Sequence, residues 1–196
     1  MFRLLWLIPI AFIVSACPFE SPVPLEKAPI EPIDSSLLGY WYGIVNDGSD
    51  FFGIEALDIT KESDSTYSIT RYGKAAKGDI ILPDTAYFTG YTSYVGDQHY
   101  MNIESSIVIV NARHNKEPEI KTEKVYYLAQ FERHHDTLRL KTISENFYPG
   151  RKEFKSPDAL KKLITSLQDD QANIYDDLYS LDYRKIQRPA TLKSSE

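Results

Sequence analysis

Apolar and polar residues alternate along much of this chain, and this period of two constrains the fold more than any other feature. Tyr127, Ala129 and Phe131 alternate with Gln130 and Glu132, as in a strand that is buried on one face. Aromatic residues make up 13% of the chain, with fourteen Tyr and nine Phe, and aromatic side chains favour the pleated surface of a sheet. The sequence therefore predicts a mostly β protein.

Turn residues between alternating segments predict two hairpins. The first joins Tyr87–Val95 to His99–Glu104 through Gly96-Asp97. The second follows the strand around Phe131, where His134-His135-Asp136 turns the chain into another alternating segment. Gly and Asp are common in turns because they tolerate conformations that other residues disfavour. Strands joined by such short turns run antiparallel.

The remaining pattern predicts further strands and one late helix. Strands are predicted at Leu38–Asn46, Phe52–Thr60, Ser65–Tyr72 and Tyr179–Arg184. For the last of these, Ile174, Leu178 and Leu181 also fit helical spacing. Ser156-Pro157-Asp158 is typical of a helix start, with a hydroxyl cap, a proline in the first turn and an acid near the positive end of the dipole. The helix is expected to end near Gln168. The region from Ile107 to Glu123 is expected to hold a short strand followed by a long mobile loop.

About eight antiparallel strands suit a closed barrel, which at that strand number either holds one small ligand or is filled by side chains. Gly39-Tyr40-Trp41 lies in the first strand and resembles the opening G-x-W motif of lipocalin-like barrels. That resemblance implies that Trp41 packs across the barrel floor beneath a basic residue from a late strand, for which Arg184 is the candidate. The helix departs from the lipocalin pattern, since it precedes the last strand instead of following it.

The N-terminus carries export information. Arg3 precedes an apolar run from Leu4 to Val14, which is too short to cross a bilayer as a stable helix. Val14-Ser15-Ala16-Cys17 follows and contains the only cysteine in the chain. The segment resembles the signal peptide and lipobox of bacterial lipoproteins, in which the cysteine is lipidated and becomes the mature N-terminus. An ordinary secretory signal with an incidental Cys17 is the alternative.

This resemblance implies a lipid anchor (palmitate among its acyl chains) in the bacterial cell envelope. Pro18 stands where an Asp would favour retention in the inner membrane, so an outer-membrane protein facing the periplasm is expected. Residues 1–16 form the predicted signal and residues 17–35 a lipidated, proline-rich tether. One domain is predicted over 36–188, followed by a flexible tail over 189–196. The tether is expected to be either a generic disordered linker or an extended, semi-rigid spacer, up to roughly 50 Å long at about 3.1 Å per residue.

Charge and motif content exclude several functions. The chain has 22 basic and 28 acidic residues, and loss of Arg3 with the signal leaves a net charge of −7. There is no basic patch of the kind that nucleic-acid binding requires. His134 and His135 are interpreted as parts of a solvated turn, and no metal site or cofactor is predicted. No nucleophile–base motif is present, so no catalytic residue and no enzyme activity are predicted.

Two functions remain open. The first is a non-catalytic lipoprotein that binds a small apolar or amphipathic ligand inside the barrel, with Phe88, Tyr94, Tyr127 and Phe131 as the inward-facing residues in contact with it. The second is a structural or assembly adaptor that docks an envelope protein through an aromatic face. Tyrosine suits both roles, because it combines a large apolar area with a polar tip.

Overall fold

A computed structural model describes residues 18–46, 51–77, 80–111, 119–147 and 154–188. The predicted signal, Cys17 and the predicted tail lie outside these residues. Eight antiparallel strands follow one another around a closed barrel, and the last pairs with the first. The strands are β1 Gly39–Asn46, β2 Phe51–Lys61, β3 Tyr67–Lys77, β4 Ile80–Val95, β5 Gln98–Asn111, β6 Glu119–His134, β7 Thr137–Ile143 and β8 Tyr175–Ile186. The predicted lipocalin-like, mostly β architecture is confirmed.

Both predicted hairpins are present. Val95 pairs with Gln98 across a two-residue turn in which Gly96 has a φ of 58°. His134 pairs with Thr137 across a second tight turn, where His135 has a φ of 52°. Gly96 reaches this left-handed region without the steric cost that a Cβ would add.

The prediction for Ile107 to Glu123 is wrong at both ends. β5 continues to Asn111 and β6 begins at Glu119, with Val110 paired to Ile120. Residues 112–118 lie outside the described ranges. Apolar side chains occupy both faces here, since Ile107 is half-buried and Val108 is 64% exposed. The sequence therefore lacks, in this region, the alternation of apolar and polar residues by which a strand is predicted.

The predicted helix is confirmed as α1, Pro157–Asp169, and it precedes β8 as expected. The backbone N–H of Ala159 donates to the Ser156 hydroxyl, which caps the first turn. Leu160 and Ile164 are fully buried against the outer wall of the barrel. No described helix is long and apolar enough to span a membrane.

Residues 18–34, the N-terminal segment, lie against the barrel wall, where the sequence predicts an extended spacer. Ser21 and Tyr126 exchange two backbone hydrogen bonds of 2.9 and 2.8 Å. The N–H of Leu25 donates to Oδ1 of Asn102 at 2.7 Å, and the Leu25 side chain is fully buried. A chain with few donors can still dock where apolar side chains such as Leu25 are covered, because that burial is favourable.

A short 3₁₀ turn, Ser35–Leu37, then closes one end of the barrel. We call this the closed end and the opposite one the rim. Trp41 is fully buried there, and its Nε1–H donates to the carbonyl of Leu37 at 2.8 Å. Its basic neighbour is Lys185, whose Nζ lies 5.1 Å from the Trp41 ring centroid.

Arg184 is therefore wrong as the residue that covers Trp41. Lys185 is the register partner of Trp41, whereas Arg184 pairs with Tyr42 and is exposed. Neighbouring residues of a strand point to opposite faces, so a shift of one position exchanges the interior for the surface.

Candidate functional site

The barrel encloses a cavity of about 1010 Å³ above the closed end. Inward-facing residues of β2 to β8 line it, and Pro18, Phe19, Glu145 and Phe147 border it at the rim. Most of the wall is apolar. The interior is therefore not filled by side chains.

Three of the four predicted inward-facing residues line this cavity: Phe88, Tyr127 and Phe131. The rings of Phe88 and Tyr127 meet edge to face, with centroids 6.5 Å apart. Tyr94 does not line the cavity and is wrong in this respect, because its side chain is 51% exposed and stacks on His99 at 4.1 Å. Tyr94 shares the face of Phe88 but lies six residues further along β4, about 20 Å in an extended strand.

Tyr127 also makes a polar contact with the N-terminal segment near the rim. Its hydroxyl donates to Oε1 of Glu20 at 2.9 Å. Burial, with the adjacent Glu20 carboxylate, raises the pKa of Tyr127 to about 12. The N-terminal segment thus supplies both a wall and a hydrogen-bond acceptor to the cavity.

One wall of the cavity is charged. The Nε of Arg71 donates to Glu55 at 2.8 Å, and its Nη1 donates to Asp84 at 3.0 Å. The hydroxyl of Tyr183 donates to the other oxygen of Glu55. We call Glu55, Arg71, Asp84 and Tyr183 the polar cluster. All four residues line the cavity, on β2, β3, β4 and β8.

The pKa values follow from this arrangement. Burial opposes the charge of Arg71, but the Glu55 and Asp84 carboxylates outweigh it and raise the pKa of the guanidinium. Burial, together with the charge of Glu55, raises the pKa of Tyr183 well above its usual value. At neutral pH, Tyr183 is therefore a neutral donor and Arg71 a cation.

Gly43 makes the contact between Tyr183 and Glu55 sterically feasible. Gly43 lies on β1, between β8 and β2, and is the register partner of Glu55. A Cβ at position 43 would lie 2.9 Å from Cδ1 of Tyr183 and 3.0 Å from Cε1. Real Cβ atoms essentially never come that close to another atom, so only glycine lets the tyrosine ring cross β1 here.

The histidines that the structure describes form no comparable site. His134 and His135 are exposed at their turn, as predicted. His99 contacts Glu31 at 2.9 Å near the closed end. Within the described ranges, no group of three or more His, Cys, Asp or Glu side chains is placed to hold a metal ion.

Sequence reasoning missed the polar cluster, although a signal for it exists. Arg71 follows Tyr67 and Ile69 on the buried face of β3, and Glu55 precedes Leu57 and Ile59 on the buried face of β2. A charged residue on the apolar face of a strand is unusual unless it is paired. Charges on the apolar faces of two successive strands therefore point to an internal ion pair.

The chain matches no known family model, and neither a curated protein nor a solved structure is detectably similar to it.

Proposed function

We propose that this chain is a lipid-anchored protein of the bacterial envelope that binds one small apolar or amphipathic molecule inside its barrel and catalyses no reaction. The cavity of about 1010 Å³ carries this proposal. Cavities that bind small molecules measure about 300–1,000 Å³ and combine mostly apolar walls with a few convergent polar groups. The polar cluster supplies such groups here.

The N-terminal sequence supports the anchor. Val14-Ser15-Ala16-Cys17 has the residues of a lipobox. Pro18, the next residue, lines the cavity and forms a bridge with Ser144. A lipid on Cys17 would therefore leave the barrel beside the rim, so that the bilayer and the cavity are close neighbours in this proposal.

A neutral fluorescent probe, N-phenyl-1-naphthylamine, tests the cavity as a binding site. We expect the Cys17→Ser chain, purified without detergent, to bind the probe and to increase its fluorescence. Ser105 lines the cavity, whereas its neighbour Ser106 is exposed. Ser105→Trp should weaken binding at least about tenfold, equivalent to 1.4 kcal/mol, because the indole occupies the cavity.

Ser106→Trp is the matched control, since it adds the same side chain to the outer face of the same strand. Circular dichroism establishes that both variants keep the fold. The proposal is refuted if the parent chain does not bind the probe, or if both tryptophan variants weaken binding equally.

The anchor has a separate test. Radioactive palmitate fed to cells that express the full chain should label it, and Cys17→Ser should abolish both the label and the membrane association. A Cys17→Ser chain that still matures and stays in the membrane fraction would contradict the lipoprotein assignment. It would leave ligand binding by the barrel unaffected.

The adaptor alternative is favoured by one surface feature. Val108, Val110 and Ile120 are 64%, 56% and 68% exposed on the outer wall of β5 and β6, near the rim. Aliphatic side chains grouped on a surface are typical of a contact with another protein. A photocrosslinker at position 108 in living cells should trap one dominant envelope protein if this function holds, whereas scattered products would argue against it.

A further inference from the structure

Acidic side chains outnumber basic side chains among the described residues that line the cavity. Four are acidic, namely Glu20, Glu55, Asp84 and Glu145, and one, Arg71, is basic. Glu20 and Glu145 are exposed at the rim, whereas Glu55 is buried. Among the described residues that line the cavity, the charged groups at the rim are therefore acidic.

Arg71 does not offset this imbalance for an anionic ligand, because its guanidinium is already paired with two carboxylates. Its Nε is hydrogen-bonded to Glu55 and its Nη1 to Asp84. Two carboxylates on one guanidinium give these three residues a net charge of −1. An anion placed here would face two like charges a few ångströms away.

The opposite wall has different chemistry. Ile103, Ala129, Leu140 and Leu181 line it from β5, β6, β7 and β8. The lining thus combines a large apolar surface with one charged patch, the polar cluster. This combination suits a molecule with an apolar body and a polar head group.

Asp84 is the member of the polar cluster best placed to meet such a head group. Its side chain is 62% exposed, whereas that of Glu55 is 11% exposed and holds both Arg71 and Tyr183. One Asp84 oxygen, Oδ2, accepts from Arg71. A cation can approach the exposed carboxylate without breaking the bond between Glu55 and Tyr183.

We infer that the cavity selects amphiphiles with a cationic head group over anionic amphiphiles with the same tail, and that Asp84 is the carboxylate that faces the cation. This inference deepens the proposed function and depends on it. The chemical class of the ligand is a hydrophobic amine or quaternary ammonium compound, with its tail against the apolar wall.

The test compares two compounds that share a twelve-carbon tail, dodecyltrimethylammonium and dodecanoate. Each is titrated, below its micelle concentration, into the Cys17→Ser chain loaded with N-phenyl-1-naphthylamine. We expect the cation to displace the probe at a concentration at least about tenfold lower than the anion, a difference of 1.4 kcal/mol in binding free energy. Equal displacement, or a preference for the anion, would overturn the inference.

Charge variants then locate the effect. Asp84→Asn should reduce the preference for the cation at least about threefold, since it removes one unit charge within a few ångströms of the head group. Asp182→Asn is the matched control, because Asp182 is an exposed aspartate of the outer wall that also pairs with an arginine, Arg139. If both variants reduce the preference equally, the selectivity comes from the net charge of the protein and not from Asp84.

The outcomes separate the two proposals. If the probe binds but the cation is not preferred, the cavity remains a ligand site and only the cationic selectivity fails. If the probe does not bind the parent chain at all, the ligand-binding function and the inference fail together.

Discussion

Gly43→Ala offers the sharpest test of how the polar cluster is assembled. The new methyl group would lie 2.9 and 3.0 Å from two ring carbons of Tyr183, a ring that is only 3% exposed. The ring cannot move outward without disturbing its packing, and it cannot shift along β1 without withdrawing its hydroxyl from Glu55. The substitution therefore tests whether the close approach at Gly43 maintains the cluster.

The expected cost follows from these two routes. Overpacking of a well-packed interior costs about 1–3 kcal/mol. Loss of a buried hydrogen bond to a charged group costs about 1.5–3 kcal/mol. Alanine recovers roughly 0.5–1 kcal/mol relative to glycine inside a strand. Since the structure can divide the strain between the two routes, we expect Gly43→Ala to lower the free energy of unfolding by about 2–4 kcal/mol.

Gly73→Ala provides the control, because Gly73 is the register partner of Glu55 on the other side, in β3. A Cβ at position 73 would have its nearest contact at 3.5 Å, from Nη2 of Arg71, which is ordinary van der Waals distance. We expect Gly73→Ala to be neutral or to stabilise the fold by roughly 0.5–1 kcal/mol. Both variants are measured by urea unfolding of the Cys17→Ser chain, followed by circular dichroism.

A second background separates strain at Tyr183 from other effects of the methyl group. In a Tyr183→Leu chain, Gly43→Ala should cost little, because the aromatic ring that it would strike is gone. The reasoning is refuted if Gly43→Ala and Gly73→Ala have the same effect, or if the cost of Gly43→Ala is unchanged in the Tyr183→Leu chain.

Three further predictions concern the surroundings of the cavity. Leu25→Ala should lower the free energy of unfolding by about 2–5 kcal/mol, although Leu25 lies in the predicted tether. As the control, substitution of the exposed Lys27 by alanine should change this free energy by no more than about 0.5 kcal/mol. Equal effects of the two substitutions in urea unfolding would mean that the N-terminal segment is not docked in solution. Lys185→Met should lower the free energy of unfolding by about 0.5–2 kcal/mol, because the cation–π contact with Trp41 is lost. A larger decrease from Arg184→Met in the same assay would support Arg184 as the residue that covers Trp41. The pKa of Tyr127 is raised from 10.0 to about 12, so the stability that its protonated form contributes is fully present below pH 10.0 and is lost as the pH rises towards about 12. Tyr127→Phe should therefore flatten the decline in unfolding free energy over that range, and an unchanged pH profile would contradict the raised pKa.

The sequence predicts strand faces well and depth along a strand poorly. Alternation alone places Phe88, Tyr127 and Phe131 inside the barrel, because every second side chain points inward. Alternation does not show that Tyr94, on the same face of β4 as Phe88, lies beyond the closed end of the barrel. The length of β4 determines that position, and the length of a strand depends on its neighbours and not on its own residues.

Contacts between strands depend on register, which a single sequence does not reveal. Glu55, Arg71 and Asp84 meet because Glu55 and Asp84 are both register partners of Gly73, from opposite sides of β3. A slip of one residue would separate them completely. The choice between Arg184 and Lys185 above Trp41 depends on register in the same way.

The N-terminal segment was mispredicted for a different reason. Its prolines indicate an extended chain, whereas residues 18–34 bend at several positions and pack on the barrel. Composition cannot show whether such a chain is solvated or lies on a surface that other residues provide. Leu25 is buried because α1 and the outer wall of the barrel, both far away in the sequence, form an apolar surface at the right place.

The docked N-terminal segment determines how far the barrel can travel if Cys17 carries the proposed lipid. A free spacer would let the domain sample a hemisphere up to roughly 50 Å from its attachment point. Residues 18–34 lie along the wall, and Pro18 lies at the rim. The flexible connection between the lipid and the domain is then a single peptide unit of about 3.8 Å. An apolar ligand could then pass from the bilayer into the barrel with almost no exposure to water. A binding partner on the far side of the periplasm would be beyond the reach of the domain.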